Sequence, residues 1–176
     1  MTIETERLII RRFQNTDWYD LHAYLSQPAV VEFEPYDAFN LEASKIEAER
    51  RTKDERFWAV CLKSSTKLIG NIYLAPQDFN TWELGFVFNL DYQKQGYATE
   101  AATALIDFIF REQKAHRIIA MCNPQNISSW GLLERLGLRR EGHFLQNIHF
   151  KMTENQEPLW IDSYLYAILA NEWLEV

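Results

Sequence analysis

Cysteine is scarce in this chain, with only Cys61 and Cys122 among 176 residues, each set in an apolar run. No Cys-x-x-Cys pair or Cys/His ligand spacing accompanies them, so neither a disulfide framework nor a zinc centre is expected and no metal ligands are assigned. Both read as small buried hydrophobes. Glycine and proline are sparse as well, at 6 and 5 residues, which excludes collagen-like and low-complexity architectures. Long apolar runs are missing: none approaches the roughly 18 residues that cross a bilayer. The opening Met1-Thr2-Ile3-Glu4-Thr5-Glu6-Arg7 has no basic start followed by an apolar segment. The chain therefore reads as cytoplasmic, with no signal peptide and no membrane partner. Positive charge is in deficit, with 18 Lys and Arg against 25 Asp and Glu and a net charge of −7. That balance argues against a nucleic-acid partner, because non-specific binding of a phosphate backbone needs basic surface. His22, His116, His143 and His149 are scattered without triad or ligand spacing and read as surface or packing residues.

What is present is ordinary globular material. Hydrophobic residues make up 47% of the chain, enough for a core without staples, and the length suits one domain over 1–176. The run Leu8-Ile9-Ile10-Arg11-Arg12-Phe13 predicts a first strand. Asn15 or Thr16 is placed to cap a helix carrying Leu21, Tyr24 and Leu25. Pro28 and Pro35 bracket an acidic, aromatic loop, and a charged helix follows over 41–54. Strands are expected over 57–62, 68–74 and 82–90, separated by turn clusters at Lys63-Ser64-Ser65-Thr66 and Pro76-Gln77-Asp78-Phe79-Asn80. Ala98, Ala101, Ala102, Leu105, Phe108 and Ile109 form the apolar stripe of a helix over 98–113. A strand over 117–122, a short helix over 128–136 closed by Gly137, and strands over 139–150 and 159–169 complete the order β-α-α-β-β-β-α-β-α-β-β. This is an α/β chain with an α+β mixed sheet of about seven strands, mostly antiparallel. The strand–helix–strand unit in the middle implies a central parallel pair.

The segment with most chemical content is Tyr92-Gln93-Lys94-Gln95-Gly96-Tyr97-Ala98-Thr99-Glu100-Ala101, between a strand and an amphipathic helix. A glycine-containing turn there can aim successive N–H groups into one concavity, and the helix N-terminus adds partial positive charge, which suits a diphosphate. The same glycine also fits an ordinary tight turn. No Gly-Lys-Ser/Thr follows and no Gly-x-Gly-x-x-Gly is present, so neither a P-loop nor a dinucleotide fingerprint is read.

Gln93, Gly96 and Ala98 resemble the Gln/Arg-x-x-Gly-x-Gly/Ala loop of the GNAT superfamily of N-acetyltransferases. Gly96-Tyr97-Ala98-Thr99-Glu100-Ala101 is similar to the subgroup of ribosomal-protein N-terminal (alanine) acetyltransferases, although Lys94 stands where that subgroup commonly has Gly. Asn126-Ile127-Ser128-Ser129 followed by Leu132-Leu133-Glu134-Arg135-Leu136-Gly137-Leu138 resembles the family's Asn-x-x-Ser…Leu-Glu-Lys-Leu-Gly-Phe signature. Thr5-Glu6-Arg7-Leu8-Ile9-Ile10-Arg11 and Trp160-x-Asp162…Leu165-Tyr166 resemble the subgroup's two ends. The resemblance spans essentially the whole chain. It implies a GNAT-like fold and acetyl-CoA as co-substrate, contacted by Phe88, Leu90, Gln93, Lys94, Gln95, Gly96, Tyr97, Ala98, Thr99, Asn126 and Ser129. It implies transfer of acetyl to an amine acceptor; a homodimer is left open.

Asn126 is a good helix cap, and the resemblance also gives its side chain a hydrogen bond to the pantetheine arm. Ser129, one turn on, is the matching position for the proton donor to the departing thiolate; Ser128 or a tyrosine is the alternative. Trp130 is either core or channel lining. Glu83 alternates with Gly85 and Val87 on one face of its strand. Burial there would raise its pKa and make it a general base acting through water; otherwise it is an exposed strand residue, with Glu141 the lesser candidate and Glu32 and Glu34 behind it. The oxyanion donor is expected among backbone N–H groups where 86–90 splays from its parallel neighbour. A chain α-amine, titrating near ~7.7–8.0, loses its proton at neutral pH for about 1 kcal/mol, whereas lysine costs roughly 4–5 kcal/mol. A peptide N-terminus or a small-molecule amine is therefore the expected acceptor. The alternative function is a catalytically silent acyl-CoA-binding sensor or scaffold.

Overall fold

The computed structural model describes residues 1–175. Eight strands form one sheet: β1 (Thr2–Glu4), β2 (Leu8–Arg11), β3 (Phe57–Leu62), β4 (Leu68–Gln77), β5 (Thr81–Phe88), β6 (Arg117–Cys122), β7 (Arg139–Met152) and β8 (Pro158–Leu169). Their order is β1-β2-β3-β4-β5-β6-β8-β7, and only β5 and β6 run parallel. The expected mixed sheet with a central parallel pair is therefore present, with one strand more. β1 escaped the sequence reading because three residues carry too little periodicity to register.

Among the described residues five α-helices accompany the sheet: α1 (Trp18–Leu25), α2 (Leu41–Thr52), α3 (Tyr97–Arg111), α4 (Ile127–Arg135) and the short α5 (Ala170–Leu174). α1 and α2 bury Leu21, Tyr24, Leu25 and Ala48 against Phe13, Ala59, Cys61, Leu68 and Val87 on one face. The alanine-rich stripe of α3 lets Ala101 and Ala102 approach the other face, where Leu105, Ile106, Ile109 and Phe110 join β2, β4, β5 and β6 in the larger core. No described helix is long and apolar enough to cross a membrane.

Two local expectations are corrected. Asn15–Asp17 is a single 3-10 turn, and neither Asn15 nor Thr16 caps α1. Asp17 is buried there instead, accepting from Arg11 Nη1 and Nη2 at 2.7 and 2.8 Å and from the Gln14 N–H at 2.8 Å. Pro76 and Gln77 belong to β4 rather than to a turn. Pro76 is tolerated because it stands opposite Trp82 at a position that needs no N–H bond to β5, beyond the end of β3. The chain reverses in Asp78–Asn80, with Phe79 and Asn80 both at positive φ.

A polar cluster pins the two helices of the first face. Tyr24 Oη and Arg51 Nη1 both donate to Asn71 Oδ1 at 2.8 Å, and Arg51 Nε donates to Glu47 at 2.7 Å. Arg51 is 2% exposed, a burial that its bonds to Glu47 and Asn71 sustain.

Candidate active site

The parallel register of β5 and β6 ends at Glu83 opposite Ile119. Beyond it the strands part. The Asn89 N–H donates to the Ile69 carbonyl at 3.0 Å, and this fixes the alternation of β5 against β4. Residues 83, 85 and 87 spend their backbone groups on β4, while Phe86 and Phe88 turn theirs toward the gap. A cleft between two parting parallel strands thus presents the Phe86 and Phe88 N–H groups and the Phe86 carbonyl from one wall.

The turn that closes this cleft is braced by side-chain amides. Asn89 Oδ1 accepts from the Asp91 N–H, Gln93 Nε2 donates to the Phe88 carbonyl at 3.0 Å, and Gln95 Nε2 donates to the Asp91 carbonyl at 2.8 Å. Lys94 and Gly96 both have positive φ, +58° and +83°. Gly96 is the N-cap of α3, which starts at Tyr97. Phe88, Leu90, Gln93, Lys94, Gln95, Gly96, Tyr97, Ala98 and Thr99 are therefore brought together around one strand–helix turn, with the N-terminus of a 15-residue helix behind it. Such a terminus offers N–H groups and partial positive charge to an anion.

The other wall ends in α4. Asn126 Oδ1 accepts from the Ser129 N–H at 3.1 Å, capping the helix as its composition demands. Its amide N–H groups have no partner among the described residues. Ser128 is exposed, whereas Ser129 is half-buried beside Cys122, the last residue of β6. Burial pushes the Cys122 thiol up to about 11, with the Ser129 hydroxyl acting in the opposite sense. Trp130 packs against the core and donates through Nε1 to the Pro124 carbonyl at 3.2 Å.

Glu83 is not brought to the turn. It closes the parallel register, on the face shared with Val87 and α1, and it is not buried. It is half-exposed and accepts from Gln77 Nε2 at 2.9 Å. Around it a concavity is lined by Asp78, Thr81, Arg117, Ile119, Met121 and Leu165. Glu141 makes a poor base: it lies in a bulge of β7, where ion pairs with Arg117 and Arg139 hold its carboxyl below the usual range. The carboxyl that burial does raise is Glu34, with Tyr36 working in the opposite sense. Glu34, Tyr36 and Asp37 share a groove with Phe150, Lys151 and Met152 of the β7–β8 hairpin. Glu32 is exposed.

One residue beside the turn was missed as part of the site. Arg7 Nη1 donates to the Gln95 carbonyl at 2.9 Å and Arg7 Nε to Glu100 Oε2 at 2.7 Å, with the guanidinium 4.5 Å from the Tyr97 ring centre. Arg7 and Glu100 are 93 residues apart, and only opposite charge in two quoted strings hinted at their meeting.

Comparison with known proteins bears on this geometry. Residues 7–139 match the family described as the acetyltransferase (GNAT) domain. The chain is 40% identical over 176 residues to an uncharacterised N-acetyltransferase, YnaD, of Bacillus subtilis strain 168, covering 98% of this chain and 99% of that one. A GNAT-family acetyltransferase structure from Bacillus anthracis superposes with a TM-score of 0.89 at 37% identity, over 98% of this chain and all of that one. The ribosomal protein uS5-alanine N-acetyltransferase of Escherichia coli is 34% identical over 95 residues, 54% of this chain and 46% of that protein. With the parting parallel strands and the glycine-capped helix at their mouth, these likenesses place the chain in the GNAT family of N-acetyltransferases.

Proposed function

We propose that this single domain moves an acetyl group from acetyl-CoA to a primary amine, either a peptide N-terminal α-amine or a small-molecule amine, by direct attack. The observation that carries the reading is the Gln93–Thr99 turn. Its left-handed Gly96, helix N-terminus and neighbouring unpaired β5 backbone form a diphosphate cradle that continues into a slot for an extended arm. The Asn126 amide N–H groups would meet that arm from the opposite wall.

In this reading the acceptor enters from the face bearing Glu83 and Glu34, whose carboxylates also suit a cationic amine. A carboxylate takes the ammonium proton, through water for Glu83, and the neutral nitrogen attacks the thioester carbon. The oxygen that gains charge is met by a β5 backbone N–H at Phe86 or Phe88. The nitrogen gives up its second proton to solvent as the C–S bond breaks, and the thiolate takes a proton from the Ser129 hydroxyl, which is replenished from solvent. Ser129 is favoured over Ser128 by its half-buried place beside Cys122 at the end of the parting strand. Likeness to the uS5-alanine enzyme supports a peptide α-amine.

Thioester consumption with peptides beginning with Ala, Ser or Met and with free amines tests the proposal. Turnover is expected with at least one class. Acetyl-CoA binding without turnover across the panel would instead favour a silent acyl-CoA sensor.

A further inference from the structure

We propose that Arg7 is a positioning residue for the cofactor turn, orienting the Gly96 N–H by holding the Gln95 carbonyl. The inference rests on the diphosphate lying in that turn. A trans peptide points its C=O and N–H in opposite directions. The bond from Arg7 Nη1 to the Gln95 oxygen, at 2.9 Å, therefore turns the Gly96 N–H away from Arg7 and toward the open side of the turn. Without that bond the Gln95–Gly96 peptide could rotate cheaply, because glycine accepts φ of either sign. Lys94, two residues earlier, already sits at φ +58°.

Arg7 is itself fixed from several sides. Its Nε donates to Glu100 Oε2 at 2.7 Å, and its own N–H and the Thr5 hydroxyl both reach Glu100 Oε1, at 2.9 and 2.5 Å. The Tyr97 ring lies 4.5 Å beneath the guanidinium. Burial works against the Glu100 carboxylate, but Thr5 and Arg7 outweigh it and keep its pKa low. A guanidinium so neutralised serves as a clamp on the turn rather than as a free charge for phosphate. The clamp also crowds Gly96, where a Cβ would stand 3.2 Å from Arg7 Nη2. The Thr5-Glu6-Arg7 string and Glu100 thus form one device that ties the start of β2 to the cofactor turn.

Calorimetric titration of CoA and of pantetheine, which has the arm but no diphosphate, tests this. Arg7→Met should bind CoA about tenfold more weakly, the scale of one charge-assisted hydrogen bond, with pantetheine affinity unmoved and the loss in turnover falling on KM rather than kcat. Glu100→Gln leaves the Arg7 charge in place but releases its anchor, and should weaken CoA as well. Equal losses for CoA and pantetheine in Arg7→Met would mark a general structural role and overturn the proposal. So would CoA affinity in Glu100→Gln at or above the wild type, the sign that Arg7 acts as a free charge. A wild-type protein that binds CoA no better than pantetheine would overturn the diphosphate reading itself. Wild-type discrimination that survives in Arg7→Met would remove only the clamp.

Discussion

At the scale of single residues, hydroxyl and carboxyl chemistry separate cleanly in experiment. Ser129→Ala should lower kcat by about 10²-fold, the low end for a lost proton donor, because a thiol of pKa near ~8.5 already leaves passably as thiolate. Acetyl-CoA affinity should barely change; a variant with wild-type kcat would pass the role to Ser128, water or a tyrosine such as Tyr164, which stands opposite Cys122 on β8. The base is tested by pairing Glu83→Gln with Glu34→Gln. If Glu83 serves, its amide variant should be slow at neutral pH and partly rescued at alkaline pH, where the amine loses its proton unaided. If Glu34 serves, its raised pKa places the ascending limb of the wild-type pH–rate profile above the ordinary carboxylate range, and Glu34→Gln should remove that limb. A profile unchanged in both variants would move the proton elsewhere.

Among elements, the α1–α2 layer and the start of α3 make different demands. Asn71 receives both Tyr24 and Arg51 in a buried spot. Asn71→Ala should therefore cost about 3 kcal/mol in urea unfolding, since it strands a hydroxyl and a guanidinium together. A loss below about 1 kcal/mol would mean that water replaces the amide oxygen. Gly96 lies at φ +83°, so Gly96→Ala should cost about 1–2 kcal/mol of stability from left-handed strain and should also weaken CoA. Loss of stability with intact CoA affinity would separate the turn from the diphosphate. In the β7–β8 hairpin, Asp162 accepts from the Gln146 N–H at 2.8 Å and meets His143 Nε2 at 2.7 Å. The Trp160-x-Asp162 string thus braces a bulge between Phe144 and Ile148.

For the molecule as a whole, cofactor binding should register as stability. Ligand at 100 times its Kd adds about 2.7 kcal/mol, or about 5–11 °C in Tm for a chain of this length. No shift at millimolar acetyl-CoA would count against the entire reading. The two faces of the sheet differ: α3 and α4 frame the Gly96 turn on one, while the Glu34 groove and the Glu83 concavity open on the other. The gap between β5 and β6 joins them, and the reacting atoms meet there in the proposed mechanism.

Local chemistry was legible in the sequence because its causes are local. Apolar runs bounded by turn clusters announced β3, β4 and β5, the alanine stripe announced α3, and Asn126 announced the start of α4 through a capping preference that depends on its own neighbours. The strand–helix–strand order alone implied the parallel pair, since such a crossover has one favoured geometry. Burial and partnership are long-range quantities, and there the tertiary structure decided. Alternation correctly put Glu83, Gly85 and Val87 on one face, yet only the packed sheet left Glu83 half-exposed. It also drew Glu141 between two arginines and set the half-buried Glu34 in a groove made with residues more than a hundred positions away. The clamp of Arg7 on Gln95 and Glu100 is of the same kind. No local preference pairs residues 93 apart; the fold sets them together by laying α3 across β2.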